Sequence, residues 1–319
     1  MNDEKPTVLI TGADGFVGDP LSHQLKKHAY SVVRVCRSGK GDDVRRIGDI
    51  ARFDDWASLL TGTDVVVHLA ARAHVLNETA VDPLEEFRRS NVIPTQRLLR
   101  AAATSGVKRL VFVSSIGVHG TSSGDTVFSE DHPVHPIEPY AISKLEAENS
   151  VIELARDSGL EYVIVRPPLI YGPRVKGNFL RLLKLVASGM PLPFGAIENK
   201  RSYLGVQNFC DVLEVCLSHP GASGKVLIAA DDEDVSTPAL ISEIATAMGR
   251  SSRLVPIPLG LLRLLGMISG RRAEIERLTS SLRVDSGFTR SVIGWTPSVP
   301  LRRGVKLMVD WYMSERGNR

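Results

Sequence analysis

Tyr140 and Lys144, in Pro139-Tyr140-Ala141-Ile142-Ser143-Lys144, are spaced to move a proton together, and Ser114-Ser115 could hold the oxygen that receives it. Positions i and i+4 share a helix face, so this spacing sets a phenol beside an ammonium. A phenol with an ordinary pKa near ~10 is a poor acid or base at neutral pH, but a fixed cation favours phenolate and draws it toward the working range. Val111-Phe112-Val113-Ser114-Ser115 is an apolar run ending in hydroxyls, as expected of a buried strand that releases Ser115 at its tip. Tyr140, Lys144 and Ser115 are therefore the candidate catalytic residues, with Ser115 and Tyr140 meeting the substrate oxygen.

These side chains need a scaffold. Thr7-Val8-Leu9-Ile10-Thr11 reads as a short strand, Gly12-Ala13-Asp14-Gly15-Phe16-Val17-Gly18 as a turn, and the residues to about Lys27 as a helix. Together they form a phosphate-binding opening. Gly12 permits the tight turn, Gly15 lets backbone approach a pyrophosphate, and Gly18 lets helix and strand pack closely, while the helix N-terminus adds N–H donors. Asp14, Phe16 and Val17 complete the expected dinucleotide contact. The next strand, Ser31 to Cys36, ends in Cys36-Arg37-Ser38 with no carboxylate at its tip. A ribose 2′-hydroxyl needs Asp or Glu there and a 2′-phosphate needs Arg, so NADP(H) is favoured, with Arg37 on the phosphate and Ser38 beside it. Asp42 and Asp43 could reach the ribose instead, which keeps NAD(H) open.

Asp49 and Ile50 fall where a crossover loop could reach an adenine. Asp64 to Ala71 reads as a buried strand whose end, Leu69, Ala70 and Ala71, forms a wall for the dinucleotide. His68 lies on the apolar strand itself, so a hydrogen-bonded core histidine is preferred over a base or ligand. Residues 84 to 104 have helical spacing, with Asn91 as an internal hydrogen-bonding brace. Glu161 to Arg166 is another strand, leading into Pro167 on the cofactor side. Regular alternation at this spacing predicts an α/β fold, a Rossmann-type doubly wound parallel sheet over residues 1–172. In residues 173–319 prolines and glycines are frequent and strands few. This half is expected to form a smaller mixed α/β substrate lobe, with some chain returning to the first domain. Its candidate polar contacts are Lys176-Gly177-Asn178-Phe179, Asn199-Lys200-Arg201-Ser202 and Arg271-Arg272.

Of the 319 residues, 43% are hydrophobic and 24% charged, ordinary for a globular enzyme. The net charge of +3 arises from near-equal basic and acidic totals without a long basic run. That balance argues against nucleic acid and for anionic small molecules as partners. Cys36, Cys210 and Cys216 are odd in number and not closely paired, which argues against disulfides and structural zinc; no metal is expected. No charged-then-apolar leader opens the chain, so a cytoplasmic protein is expected. Leu254 to Gly270 is apolar but broken by Pro256, Pro258 and Arg263, and too short for stable membrane insertion. It reads as a packing helix, with contact at a membrane surface left open.

Thr11-Gly12-x-x-Gly15-x-x-Gly18, Ser114-Ser115, Tyr140-x-x-x-Lys144, Arg166-Pro167-x-x-x-Tyr171-Gly172-Pro173 and Thr289-x-x-x-x-Gly294-Trp295 together resemble the extended short-chain dehydrogenase/reductase family. The likeness is to its sugar-nucleotide epimerase and dehydratase branch, over almost the whole chain. The resemblance implies a lobe for a UDP-sugar and a homodimer formed through the helix after Asn91 and the Tyr140 helix. It also implies Tyr140 as catalytic tyrosine, Lys144 on the nicotinamide ribose, Ser115 on the sugar oxygen, and Arg201 on the diphosphate, which a bidentate guanidinium suits. Ile116 and Gly117 stand where the family's dehydratases have Asp and Glu, so 4,6-dehydration is not expected. Cys36-Arg37 departs from the acidic residue of family epimerases that retain NAD, and suits exchangeable NADPH. Leu169 stands where those epimerases often carry a diphosphate-binding Asn, leaving Asn178 and backbone groups to replace it.

His68-Leu69-Ala70-Ala71-Arg72-Ala73-His74-Val75, Val175-Lys176-Gly177-Asn178-Phe179 and Asn199-Lys200-Arg201-Ser202 look like a bacterial surface-polysaccharide branch. That branch includes UDP-N-acetylquinovosamine-forming 4-ketoreductases and UDP-N-acetylglucosamine 4-epimerases. The expected activity is NAD(P)H-dependent C4 reduction of a UDP-2-acetamido-2,6-dideoxy-4-hexulose in polysaccharide precursor synthesis. The alternatives are a UDP-GlcNAc or UDP-Glc 4-epimerase with bound NAD and a non-catalytic dinucleotide-binding protein.

Overall fold

The computed structural model describes residues 5–39, 41, 43–73 and 80–317. Its first half runs β1 (Thr7–Thr11), α1 (Gly18–Lys27), β2 (Ser31–Cys36), β3 (Val44–Arg46), α2 (Trp56–Leu60), β4 (Val65–His68), α3 (Pro83–Phe87), α4 (Ile93–Thr104), β5 (Arg109–Val113), α5 (Pro139–Ser158) and β6 (Glu161–Arg166). A single π-helical turn, Arg88–Val92, joins α3 to α4. The second half runs β7 (Leu169–Tyr171), α6 (Gly177–Ala187), β8 (Tyr203–Gly205), α7 (Val206–Cys216), β9 (Lys225–Ile228), α8 (Thr237–Ala247), α9 (Leu259–Ile268), α10 (Arg272–Thr279), α11 (Gly287–Ile293) and α12 (Leu301–Gly317).

Seven strands make one parallel sheet in the order β3-β2-β1-β4-β5-β6-β9. This is the expected doubly wound α/β sheet. Its central strands are runs of Val, Leu and Ile because both faces are covered. Alternate residues serve opposite layers. Val8, Ile10, Val65, Val67, Val111, Val163 and Val165 pack with Leu21 and Leu25 of α1 and Phe209 and Leu213 of α7. Leu9, Val66, Phe112 and Ile164 pack with Trp56, Leu98, Leu99 and Val151 on the other side. The chain winds outward in both directions from β1 and β4, so a crevice opens beyond the carboxyl ends of those two strands.

A second core, including Phe179, Leu183, Ile241, Ile244, Val305 and Val309, fills the space between α6, α8 and α12. A buried polar hub ties it to the sheet. Tyr171 donates to Asp231 at 2.8 Å, Asn208 donates to Asp231 at 2.7 Å and to the Val299 carbonyl at 2.8 Å, and Gly205 N–H also reaches Asp231. Removing the Asp231 carboxylate would leave three buried donors unsatisfied, so this hub holds β7, β8 and α7 in one arrangement.

Candidate active site

The glycine turn is built by close backbone approach. Gly12 has φ +67°, a conformation that favours glycine, and a Cβ there would lie 3.0 Å from backbone atoms of Ala70. A Cβ on Gly18 would lie 2.2 Å from the Gly12 carbonyl oxygen and 2.7 Å from Ala13 Cα, so α1 starts where only glycine fits. Gly15 N–H donates to Gly12 O at 2.9 Å. Phe16 packs against the second core and Val17 against the sheet core, which leaves their backbone at the mouth of the turn. Asp14 is exposed beside the Cys36 thiol, which burial and then the Asp14 charge push up. Arg34, which the sequence reading passed over, donates to the Ala13 carbonyl at 3.3 Å and to Asp19 at 3.1 Å, and so braces the turn from β2.

Arg37 and Ser38 are exposed at the end of β2. Asp43 is tied to Lys26 at 2.5 Å, and that hydrogen bond holds its carboxyl below the usual range. Asp42 lies outside the described residues, as do His74 and Val75. Asp49 is exposed and accepts from Ala51 N–H at 3.1 Å, while Ile50 packs against the core around Trp56.

The strand expected through Ala71 ends at His68, three residues early. Ala70 N–H turns aside to Thr11 Oγ1 at 3.2 Å, because the Gly12 approach occupies the space a longer ladder would need. Leu69, Ala70 and Ala71 are therefore a half-buried loop beside the glycine turn. His68 is the expected core histidine. Thr95 Oγ1 donates to Asn91 O at 2.6 Å, so it accepts from His68 Nε2 at 2.9 Å, and His68 Nδ1 accepts from Thr11 Oγ1 at 2.7 Å. Burial, then Lys144, pushes its pKa down to about 3, so it stays neutral. Asn91 also braces: Oδ1 accepts from Arg72 N–H at 2.7 Å, and Nδ2 donates to Ser143 Oγ at 3.0 Å, tying the loop after β4 to α5.

Ser115 sits half-buried at the tip of β5, where its Oγ accepts from Gly117 N–H at 3.1 Å and caps the turn Ile116–Val118. That turn lies against α5: a Cβ on Gly117 would come within 3.5 Å of Ala141 Cβ. Pro167 is buried beside it and accepts from Ile116 N–H at 3.0 Å. Tyr140 and Lys144 share one face of α5, which Pro139 opens at its first position. Tyr140 is half-buried, its ring edge-on to Phe87 with centroids 5.9 Å apart. Lys144 is 2% exposed, with Nζ 4.0 Å from the Phe112 ring centroid.

The electrostatics differ from the expectation that Lys144 lowers the phenol. Burial pushes Tyr140 up to about 12. Burial likewise pushes the Lys144 ammonium down to about 7, against the attraction of Glu148. Desolvation sets both directions, and the Lys144 cation is turned to the Phe112 ring. Glu148, one turn beyond Lys144, was missed although its spacing signals it. It forms a buried two-point pair with Arg166, at 3.0 Å to Nε and 2.6 Å to Nη2, and Arg166 Nη1 donates to His119 at 2.9 Å. Burial, then Arg166, pushes His119 down to about 4.

In the second half, Arg201 is half-buried, and Nη1 donates to the carbonyls of Arg277 and Ser280, each at 2.9 Å. Asn199 and Ser202 are consumed internally: Asn199 donates to Leu278 O and Ser280 O, and Ser202 donates to Asp234 at 2.5 Å. Asn178 is exposed in the first turn of α6, and Leu169 packs into the second core. The structure also pairs Arg277 with Glu138, the cap of α5, at 2.6 Å, a contact across 139 positions that no local pattern announces.

Residues 8–229 match the NAD dependent epimerase/dehydratase family. A Vibrio cholerae protein named UDP-glucose 4-epimerase is 40% identical over 307 residues, covering 94% of this chain and 93% of the relative. An Escherichia coli O157:H7 protein named N-acetyl-alpha-D-glucosaminyl-diphospho-ditrans,octacis-undecaprenol 4-epimerase is 30% identical, covering 89% of this chain and 85% of the relative. Among solved structures, MoeE5 in complex with UDP-glucuronic acid and NAD aligns with a TM-score of 0.77 at 28% identity, covering 97% of this chain and 99% of that one.

Proposed function

The chain belongs to the NAD dependent epimerase/dehydratase family, and from that membership and the geometry around Tyr140 we propose that it reduces the C4 ketone of a UDP-2-acetamido-2,6-dideoxy-4-hexulose. The observation that carries this reading is geometric: Tyr140 and Lys144 share one face of α5, and the turn capped by the Ser115 hydroxyl packs against that helix at Ala141. The residues fit a nicotinamide dinucleotide: a Cβ at Gly18 would fill the space the turn needs, and the N-terminus of α1 faces it. When bound, the reduced nicotinamide supplies hydride to C4. Tyr140 donates its proton to the C4 oxygen, and Ser115 donates a hydrogen bond to that oxygen as charge develops. Lys144 fixes the ribose and, when charged, steadies the phenolate left behind. Arg201, braced on the Arg277 and Ser280 carbonyls, directs its remaining N–H groups to the diphosphate. Ile116 and Gly117 carry no acid or base, so water is not eliminated.

Arg37 at the tip of β2, with Asp43 occupied by Lys26, supports NADPH as the preferred donor. The reaction is proposed for the cytoplasm, by a homodimer formed through α4 and α5. The second reading, a UDP-GlcNAc or UDP-Glc 4-epimerase with retained NAD, is favoured by the 40% identical relative named UDP-glucose 4-epimerase and by NAD in MoeE5. It requires Tyr140 to accept a proton in one half of the cycle and return it in the other. A purified sample separates the two. Consumption of added NADPH with the 4-keto-6-deoxy sugar, and no dinucleotide surviving dialysis, supports the reductase. Interconversion of UDP-N-acetylglucosamine without added cofactor refutes it.

A further inference from the structure

Helix α9 is apolar nearly all round, Leu-Gly-Leu-Leu-Arg-Leu-Leu-Gly-Met-Ile, yet only one face of it is covered. Leu262 and Gly266 form that face. Leu262 is 2% exposed, and Gly266 packs so closely on α10 that a Cβ would meet Ile275 at 2.8 Å. The rest projects outward: Leu261, Leu264, Leu265, Met267 and Ile268 are 46% to 76% exposed. Among the described residues no helix is long and apolar enough to cross a membrane, and at ~1.5 Å per residue α9 is far too short to do so.

The charge around this helix is not balanced. Residues 259–272, the helix and the turn after it, carry three arginines, Arg263, Arg271 and Arg272, and no acidic residue, and Glu276 and Glu274 of α10 lie 3.9 Å from Arg263 and 4.0 Å from Arg271. An exposed apolar helix rimmed by arginine has the physics of an interfacial element: apolar side chains enter the acyl boundary and cations meet anionic headgroups, each worth about 1 kcal/mol. A second copy is the poorer occupant, because a two-fold contact through this face would set the same positive surplus against itself.

We propose that α9 and its arginine rim dock this protein on the surface of an anionic phospholipid bilayer. The hairpin of α9 and α10 is wired to the candidate site on both sides. The Arg277 side chain holds Glu138 at the cap of α5, and its carbonyl receives Arg201. The docked hairpin is therefore one contact away from the cap of the Tyr140 helix and from Arg201. The docking itself does not depend on which C4 reaction is catalysed.

The test is sedimentation of the purified full-length protein with phosphatidylcholine vesicles, with or without about 30% phosphatidylglycerol. Binding to the anionic vesicles alone is expected, weakened by salt. Leu264→Glu with Ile268→Glu should lower it at least ~10-fold, because a carboxylate at each tip must be left in water or desolvated. These residues are solvent-facing and outside the catalytic and binding machinery, so thermal midpoint and turnover of a soluble substrate should be unchanged. Arg271→Glu with Arg272→Glu should weaken binding and flatten its salt dependence. Wild type that fails to sediment, or that sediments equally with the two-carboxylate variant, overturns the proposal. So does a dimer, seen by light scattering, that the Leu264→Glu and Ile268→Glu changes abolish.

Discussion

Lys144→Met should make the protein more stable and less active, and the gain should depend on pH. Lys144 is buried, and its pKa falls from the ordinary 10.5 to about 7. The unfolded chain therefore holds this proton more firmly than the folded chain between about pH 7 and 10.5, and stability rises with pH across that window. Below about 7 the folded state carries the full cost of a desolvated ammonium. At ~1.4 kcal/mol per pH unit that cost has an upper value of about 5 kcal/mol, and local relaxation brings the expected measured gain to about 2–3 kcal/mol. Methionine matches the lysine stem, and its sulfur meets the Phe112 ring that now lies 4.0 Å from Nζ. Glu148 keeps its two hydrogen bonds to Arg166, so no carboxylate is orphaned. Urea unfolding of both proteins from about pH 6 to about pH 9 measures the difference, which should be largest at the acid end and shrink steadily. A Lys144→Met protein less stable at about pH 6, or a difference constant with pH, would refute the reasoning.

Tyr140→Phe removes the proton donor but keeps the ring against Phe87; turnover should drop at least ~100-fold with dinucleotide affinity little changed, as read by kinetics and fluorescence titration. Gly18→Ala puts a methyl 2.2 Å from the Gly12 carbonyl oxygen, a backbone atom that cannot swing aside. Dinucleotide binding should be lost and stability lowered by roughly 1–3 kcal/mol, and calorimetry showing normal affinity would count against the close-packed turn. Glu148→Gln leaves Arg166 a buried unpaired cation, with an expected loss of about 3–5 kcal/mol in chemical denaturation. Arg201→Lys cannot hold two carbonyls and still offer paired N–H groups; the KM for the nucleotide sugar should rise about tenfold while kcat changes little.

Local patterns were enough to read five of the seven strands, β1, β2, β4, β5 and β6, and the helix bearing Tyr140 and Lys144, but not the short edge strands β3 and β9, which pair with the sheet along one side only. A run such as Val8-Leu9-Ile10 buries both faces whatever surrounds it, and i, i+4 spacing is a property of one helix. Glu148 was readable by the same rule, one turn past Lys144. The early end of β4 was not, because it depends on how closely Gly12 approaches Ala70, two segments 58 positions apart.

By itself the sequence determined which groups this protein has to work with: the phenol, the ammonium, the capped serine, the glycine turn and an arginine at the end of β2. It also determined their family. Tertiary structure alone decided their charge states and connections. The depth at which Tyr140 and Lys144 lie moved their pKa values to about 12 and about 7, reversing the expected lowering of the phenol, because desolvation depends on what packs around a group. The link from Glu138 to Arg277, and the outward faces of α9, likewise exist only once distant segments have met and each has claimed its share of buried surface.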